Sequence, residues 1–248
     1  TKFHLENLKF FLKKKNKKFI EKPISHKFSK SLININDKIK KNNSYCHVGY
    51  VLLFNECLIK FAQLLKTNRL GKILNVHSEH KTYLPDWPSK NYKQSVSVDP
   101  LGGGVLLELS HEIDYLFYFF PNLKLIESHF TNTRSLGLKV EDTASVLFSS
   151  RSNFSIFLNL SFNSKILSRK CTVNYENGQI IMDILNEKII IQKFRSKKKI
   201  IFFKNSLKKM YENQINYFFK NNLFFNSSNF NRSIKVIKCI DEIKKNNQ

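Results

Sequence analysis

The segment "PLGGGVLLELSHEIDYL" (100–116) gathers the side chains that could move protons: Glu108, His111 and Asp114, behind Gly102, Gly103 and Gly104. A carboxylate and an imidazole three residues apart share one face of a helix. An imidazole titrates near neutral pH, so the pair could hold and pass a proton. The bland alternative is a capping carboxylate beside a satisfied core histidine. The glycines raise a third reading, a phosphate cradle, which needs G-x-G-x-x-G between a buried strand and a helix. Gly102 and Gly104 fit, but the third position is Leu107, and the preceding "SVSVDPL" is too short and polar for a central parallel strand. Close backbone approach is the expected use of the glycines. No metal is expected at His77, Glu79 and His80, because alternation along a strand sends His80 to the face opposite His77.

Positioning these groups requires a scaffold, and the pattern of apolar residues outlines one. After the glycines, Leu106, Leu109, Ile113, Leu116, Phe117 and Phe120 recur at steps of mostly three and four until Pro121, which predicts one mostly buried helix. Before residue 70, helix and strand alternate: a helix over 3–14, a short strand in "KFIEKP", a polar helix over 29–42, an apolar strand "YCHVGYVLLF" and a helix over 56–67. Such alternation argues a parallel sheet flanked by helices. From Gly71 the texture changes. "KILNVHSEH", "LKLIESHFTN", "TASVLFSS", "FSIFLNLSF", "RKCTVNYENG" and "QIIMDILNEKIIIQKF" predict strands, with turns at 151–153 and Asn177-Gly178 joining neighbours as hairpins. The expected class is α/β plus α+β: the tail of a Rossmann parallel sheet, then an open, mostly antiparallel sheet with helices on one face. "MYENQINYFFKNNLFF" and "FNRSIKVIKCIDEIKK" return to helical spacing.

A chain of 248 residues with 42% hydrophobic and 13% aromatic content can bury a real core, and general disorder is excluded. No run approaches the roughly 18 apolar residues of a membrane span. Cys46, Cys57, Cys171 and Cys239 lie far apart without a C-x-x-C pair, so neither zinc nor a disulfide framework is indicated and a reducing cytoplasm is expected. The formal charge of +23 invites a nucleic-acid reading. Its texture argues otherwise: 36 Lys against 6 Arg, spread from end to end, lack the planar forks that recognise guanine and phosphate. "KKKNKK" (13–18) and "RSKKKI" (195–200) are expected to be solvated turns.

Five segments, in order, resemble the Gfo/Idh/MocA oxidoreductase family, named for glucose-fructose oxidoreductase and inositol dehydrogenase: "TKFHLENLKFFLKKKNKKFIEKPIS", "HVGYVLLF", "GKILNVHSEHKTYLPDW", "GGGVLLELSHEIDYL" and "MYENQINYFF". The resemblance implies residues 1–54 as the C-terminal part of a Rossmann domain and 55–248 as the substrate and oligomerisation domain. It implies that the part of the cofactor domain carrying the glycine fingerprint is absent from this chain. It implies NAD or NADP as cofactor and a sugar, polyol or nucleotide-sugar hydroxyl as substrate, with homo-oligomers formed through the open sheet and neither a specific nucleic acid nor a membrane as partner. By position, Lys22 matches the lysine near the nicotinamide that orients the substrate hydroxyl, with Glu21, Pro23 and His4 beside the cofactor. His111 matches the histidine that exchanges the proton, and Glu108 stands where relatives often carry Asp. Tyr83, Trp87 and Asp114 fall near the substrate. Three departures are visible: Glu for Asp at 108, a spacing of three rather than four between acid and histidine, and Val51 and Leu53 where relatives often present Asn and Arg. They leave a second reading open, an inactive association module.

Overall fold

A computed structural model describes residues 3–12, 16–42, 44–67, 69–88, 91–220 and 227–246. In chain order the elements are α1 (His4–Phe11), β1 (Lys18–Ile20), α2 (Lys30–Lys41), β2 (Cys46–Val48), α3 (Glu56–Leu65), β3 (Ile73–Tyr83), α4 (Val105–Glu108), α5 (Ser110–Phe119), β4 (Lys124–Thr131), β5 (Thr143–Ser149), β6 (Ser155–Ser161), β7 (Asn163–Tyr175), β8 (Gly178–Asp183), β9 (Lys188–Lys193), β10 (Lys199–Phe202), α6 (Leu207–Lys220) and α7 (Ser227–Asn246). Residues 13–14 of the helix expected over 3–14, 13–15 of the lysine run and 221–225 of the late aromatic segment lie outside the described residues.

Local chemistry sets the helices. Ser29 caps α2 by accepting from the Leu32 amide, and Leu32, Ile35 and Ile39 bury one stripe while lysines in the last turn oppose the helix dipole. Asn55 caps α3 in the same way, and Cys57, Leu58, Phe61 and Ala62 form its buried face.

β1 and β2 pair in parallel, Lys18 opposite Cys46 and Ile20 opposite Val48. Two short strands are marginal alone. Here α7 completes them: the Asn229 side chain accepts from the Val48 amide at 2.6 Å and donates to the Val48 carbonyl at 3.3 Å. Phe218 of α6 packs edge-on against Phe19. The other eight strands form one sheet in the order β10-β9-β8-β7-β3-β6-β5-β4, antiparallel except for β3 beside β6. α3, α4, α5 and α7 cover one face. On the opposite face a single register row, Leu147, Phe157, His77, Thr172, Ile181, Ile190 and Ile200, runs across seven strands. Buried side chains of both sheets belong to one cluster, so the core is continuous across residue 54.

Several elements differ from expectation for local reasons. The strand expected over 45–54 stops at Val48; Val51–Phe54 is a 3-10 turn, because an apolar run does not by itself distinguish a strand from a buried turn of helix. The 179–194 run is two strands, since Asp183 accepts from the Asn186 backbone amide and side chain and closes a turn between them. "RSKKKI" is not wholly a solvated turn: its last two residues begin β10, whose lysine-flanked edge pairs with β9.

His47 of β2 is 4% exposed and sits among the rings of Phe19, Phe54 and Tyr217. Burial first, and the Arg232 charge second, lower its pKa to about 4. A histidine whose folded pKa is depressed contributes stability above its unfolded pKa, near 6.5, and that contribution is lost as pH falls through the folded value. The expected loss between these pH values is roughly 3 kcal/mol, and His47→Phe removes most of it. Urea midpoints at neutral and acid pH check this; an equal acid loss in the variant refutes the assignment.

Candidate active site

The glycine turn is closed on itself. The Gly102 and Gly103 amides donate to the Asp99 carbonyl, and the Gly104 amide donates to the Ser97 carbonyl. No amide of the three is left for a phosphate. Close approach is the reason for glycine: a Cβ on Gly103 would lie 2.5 Å from the Ser97 carbonyl oxygen, and one on Gly104, at φ 95°, would overlap the Glu141 carboxylate. Gly104→Ala should therefore destabilise the chain by roughly 1–3 kcal/mol, chiefly the strain of the positive φ, because the Glu141 carboxylate ends a flexible side chain that can shift. A denaturant melt unchanged from the parent would overturn this.

The expected single helix is broken. α4 ends at Glu108, Leu109 takes φ −89° and ψ 23°, and α5 restarts at Ser110, with the Glu112 amide bonded to the Leu109 carbonyl. The break leaves the Glu108 carbonyl free to accept. Lys22, just beyond the C-terminal end of β1, donates to that carbonyl at 2.8 Å and to the Glu108 Oε1 at 3.0 Å. An ammonium has three N–H groups, so a third donor remains for a ligand.

His111 lies beside this pair, partly exposed, with its ring 5.4 Å from and edge-on to that of the buried Tyr50. Its Nδ1 is buried without a hydrogen-bond partner among the described residues. Burial, then the Lys22 and Arg169 charges, hold its pKa well below the usual histidine range. The direction is opposite to the near-neutral value anticipated from sequence and favours the neutral form of the His111 imidazole.

Behind His111 stands a group that sequence reasoning missed. Glu112 is fully buried; its Oε1 accepts from Arg169 Nε at 2.6 Å and lies 3.2 Å from His80 Nδ1. Burial alone would raise its pKa, but Arg169 first and His80 next hold it well below the ordinary carboxylate range. His80 and Arg169 are direct cross-strand partners on β3 and β7. His80 does face away from His77, which stacks on Phe157 on the other side. Asp114, 1% exposed, is gripped by Arg232 of α7 at 2.7 and 3.5 Å, which places it in a helix–helix contact. Arginine scarcity was the available signal: in a chain with 36 Lys, two of its six Arg hold these two buried carboxylates.

The remaining predicted residues fall elsewhere. His4 Nδ1 lies 2.8 Å from the Pro23 carbonyl. His4 and Glu21 line a cavity between α1 and β1 that does not include Lys22. The Trp87 indole donates to Thr82 Oγ1 at 2.7 Å and its ring meets Phe162 edge-on, while Tyr83 carries the Lys165 ammonium 5.8 Å above its ring. The four cysteines are free and buried, and burial raises each thiol pKa. Among the described residues no cluster of three or more His, Cys, Asp or Glu could hold a metal ion.

Solved oxidoreductases share this fold. An inositol dehydrogenase homolog from Azotobacter vinelandii, complexed with NADH and myo-inositol, superposes with a TM-score of 0.82 at 12% identity, covering 98% of this chain and 73% of its own. Levoglucosan dehydrogenase complexed with NADH and levoglucosan gives 0.80 at 11% identity, covering 99% and 76%. UDP-N-acetylglucosamine 3-dehydrogenase from Acidithiobacillus ferrooxidans gives 0.75 at 11%, covering 99% and 75%. No curated protein matches the chain by sequence. The family model of the GFO/IDH/MocA C-terminal domain matches residues 58–181, half of the chain, and the chain belongs to the Gfo/Idh/MocA oxidoreductase family.

Proposed function

We propose that this chain provides the proton-handling side of an NAD- or NADP-dependent dehydrogenase acting on a hydroxyl of a sugar, polyol or nucleotide sugar. The observation that carries the reading is the Lys22–Glu108 clamp beside the neutral His111. The structural neighbours are, by name, dehydrogenases of levoglucosan and UDP-N-acetylglucosamine and an inositol dehydrogenase homolog, two of them complexed with NADH.

The residues present fit a nicotinamide and an alcohol. Lys22 stands at the C-terminal edge of a parallel strand pair, where ligands of α/β sheets bind, and the orphaned His111 Nδ1 is a buried polar atom of a kind seldom left without a partner. The nicotinamide, when bound, supplies the hydride acceptor. The third N–H of Lys22 orients the substrate hydroxyl, and the His111 imidazole takes its proton. Glu108 fixes the Lys22 ammonium. Glu21 and His4, in the cavity between α1 and β1, and Tyr83 and Trp87, engaged with Lys165, Thr82 and Phe162, stand outside this group and take no step in the proton transfer. Asp114 acts through its hold on α7 rather than by touching substrate.

A second reading is association through the open sheet, favoured by the largely apolar register row that includes the stacked His77 and Phe157. A patch of that kind needs a partner, and a second copy is the simplest. Free buried cysteines agree with a cytoplasmic setting, and no helix among the described residues is long and apolar enough to cross a membrane. One assay series tests the function: the purified protein with NAD+ or NADP+ and myo-inositol, levoglucosan or UDP-N-acetylglucosamine, following reduced nicotinamide. Turnover on any of them supports the dehydrogenase. Absence of both turnover and nicotinamide binding, with a sheet-dependent dimer in light scattering, leaves association alone. DNA affinity falling steeply with salt would favour the basic-module reading instead.

A further inference from the structure

Between α3 and the β8–β10 end of the sheet lies a cavity of about 540 Å³, within the range that accepts small organic ligands. Leu64, Ile180, Ile191 and Ile201 give it apolar walls. Five cations line it, Lys60, Arg69, Lys193, Lys197 and Lys199, and no carboxylate does. None of the five joins an ion pair among the described residues. Tyr175, which also lines the cavity, is 6% exposed, yet its hydroxyl has no hydrogen-bond partner among the described residues. Burial, with Cys171 adding to it, raises the Tyr175 pKa to about 12, so the hydroxyl keeps its proton and remains a donor. Buried donors are seldom left unmatched, and an anion in the pocket would meet five cations that have no ion-pair partner among the described residues, one of them, Lys60, half-buried.

We infer that this cavity binds an anionic amphiphile, an acyl chain or similar apolar body carrying one carboxylate or phosphate head. The apolar body lies against the isoleucines and Leu64, the head is held by the lysines, and the Tyr175 hydroxyl donates to a ligand oxygen. The "RSKKK" turn thereby gains a use that dispersed solubility does not explain. The site shares no residue with the Lys22, Glu108 and His111 group and is independent of the activity proposed there.

Calorimetry on the full chain with dodecanoate, dodecyl phosphate and dodecyltrimethylammonium, all below micelle formation, provides the test. One anion per chain is expected to bind, with the cationic analogue at least about tenfold weaker, and added salt should weaken the anions. The preferred anion identifies the head group. Exchanging Lys193, Lys197 and Lys199 for Glu should reduce anion affinity by more than about tenfold, and Tyr175→Phe by about fivefold, the worth of one hydrogen bond. Leu64→Trp fills the cavity and should abolish binding. Equal affinity for the cationic analogue, or undiminished anion binding in the triple-lysine variant, overturns the proposal. Should Leu64→Trp fail to fold, the lysine variants, which lie on the surface, still decide.

Discussion

Glu112→Gln should lower the unfolding free energy by about 3 kcal/mol, the scale set by breaking a buried ion pair from one side. The variant keeps the shape of the side chain and an acceptor oxygen for Arg169, but removes the charge that pairs with Arg169 and faces the His80 ring. Arg169 is only 18% exposed, so water compensates its charge poorly. The strands that carry His80 and Arg169, β3 and β7, are central in the eight-stranded sheet, and the loss is therefore felt at the sheet–helix junction rather than at an edge. A double variant, Glu112→Leu with Arg169→Met, should recover much of the deficit, because an apolar pair of similar volume needs no compensation. The pH dependence has a definite sign. A carboxylate with a depressed folded pKa contributes stability above its unfolded pKa, near 4.3, and loses it as pH falls. The gap between parent and Glu112→Gln should accordingly be full at neutral pH and close in strong acid. Equal urea midpoints at neutral pH would remove Glu112 from the account of stability.

The order of elements was legible because their periods differ: three-four spacing in α2, α3 and α5, and alternation in β3, β5 and β6, each with one covered face. The Lys22, Glu108 and His111 group was found by family likeness more than by chemistry, since Lys22 is one of 36 lysines and nothing local distinguishes it. What brings it to Glu108 is a contact across 86 residues, made possible by a carbonyl that a helix break releases. A smooth apolar run from Leu106 to Phe120 conceals that break. Glu112 was passed over because a glutamate among polar neighbours in "SHEID" is ordinarily solvated, and only the packing of α5 on β3 shows that it is not. β10 was hidden by its lysines, which mark an exposed edge strand as readily as a turn.

His111→Ala should lower kcat for alcohol oxidation by about 10²–10⁴-fold, the usual contribution of a positioned general base. Nicotinamide affinity should be unchanged, because Lys22 remains held by Glu108 without any help from the imidazole. The pH profile separates proton transfer from mere packing. With its pKa well below the ordinary histidine range, owing to burial and then to Lys22 and Arg169, the imidazole is already neutral at physiological pH. Oxidation by the parent should thus be flat through neutrality and fall only in acid, where the base becomes protonated; the alanine variant should lack that acid limb. His111→Gln, which retains a hydrogen-bonding side chain but no basic nitrogen, should be nearly as slow as His111→Ala. If His111→Gln instead keeps more than about a tenth of the parental rate, less than the smallest effect expected of a general base, the ring serves only to pack against Tyr50 and the proton leaves by another path.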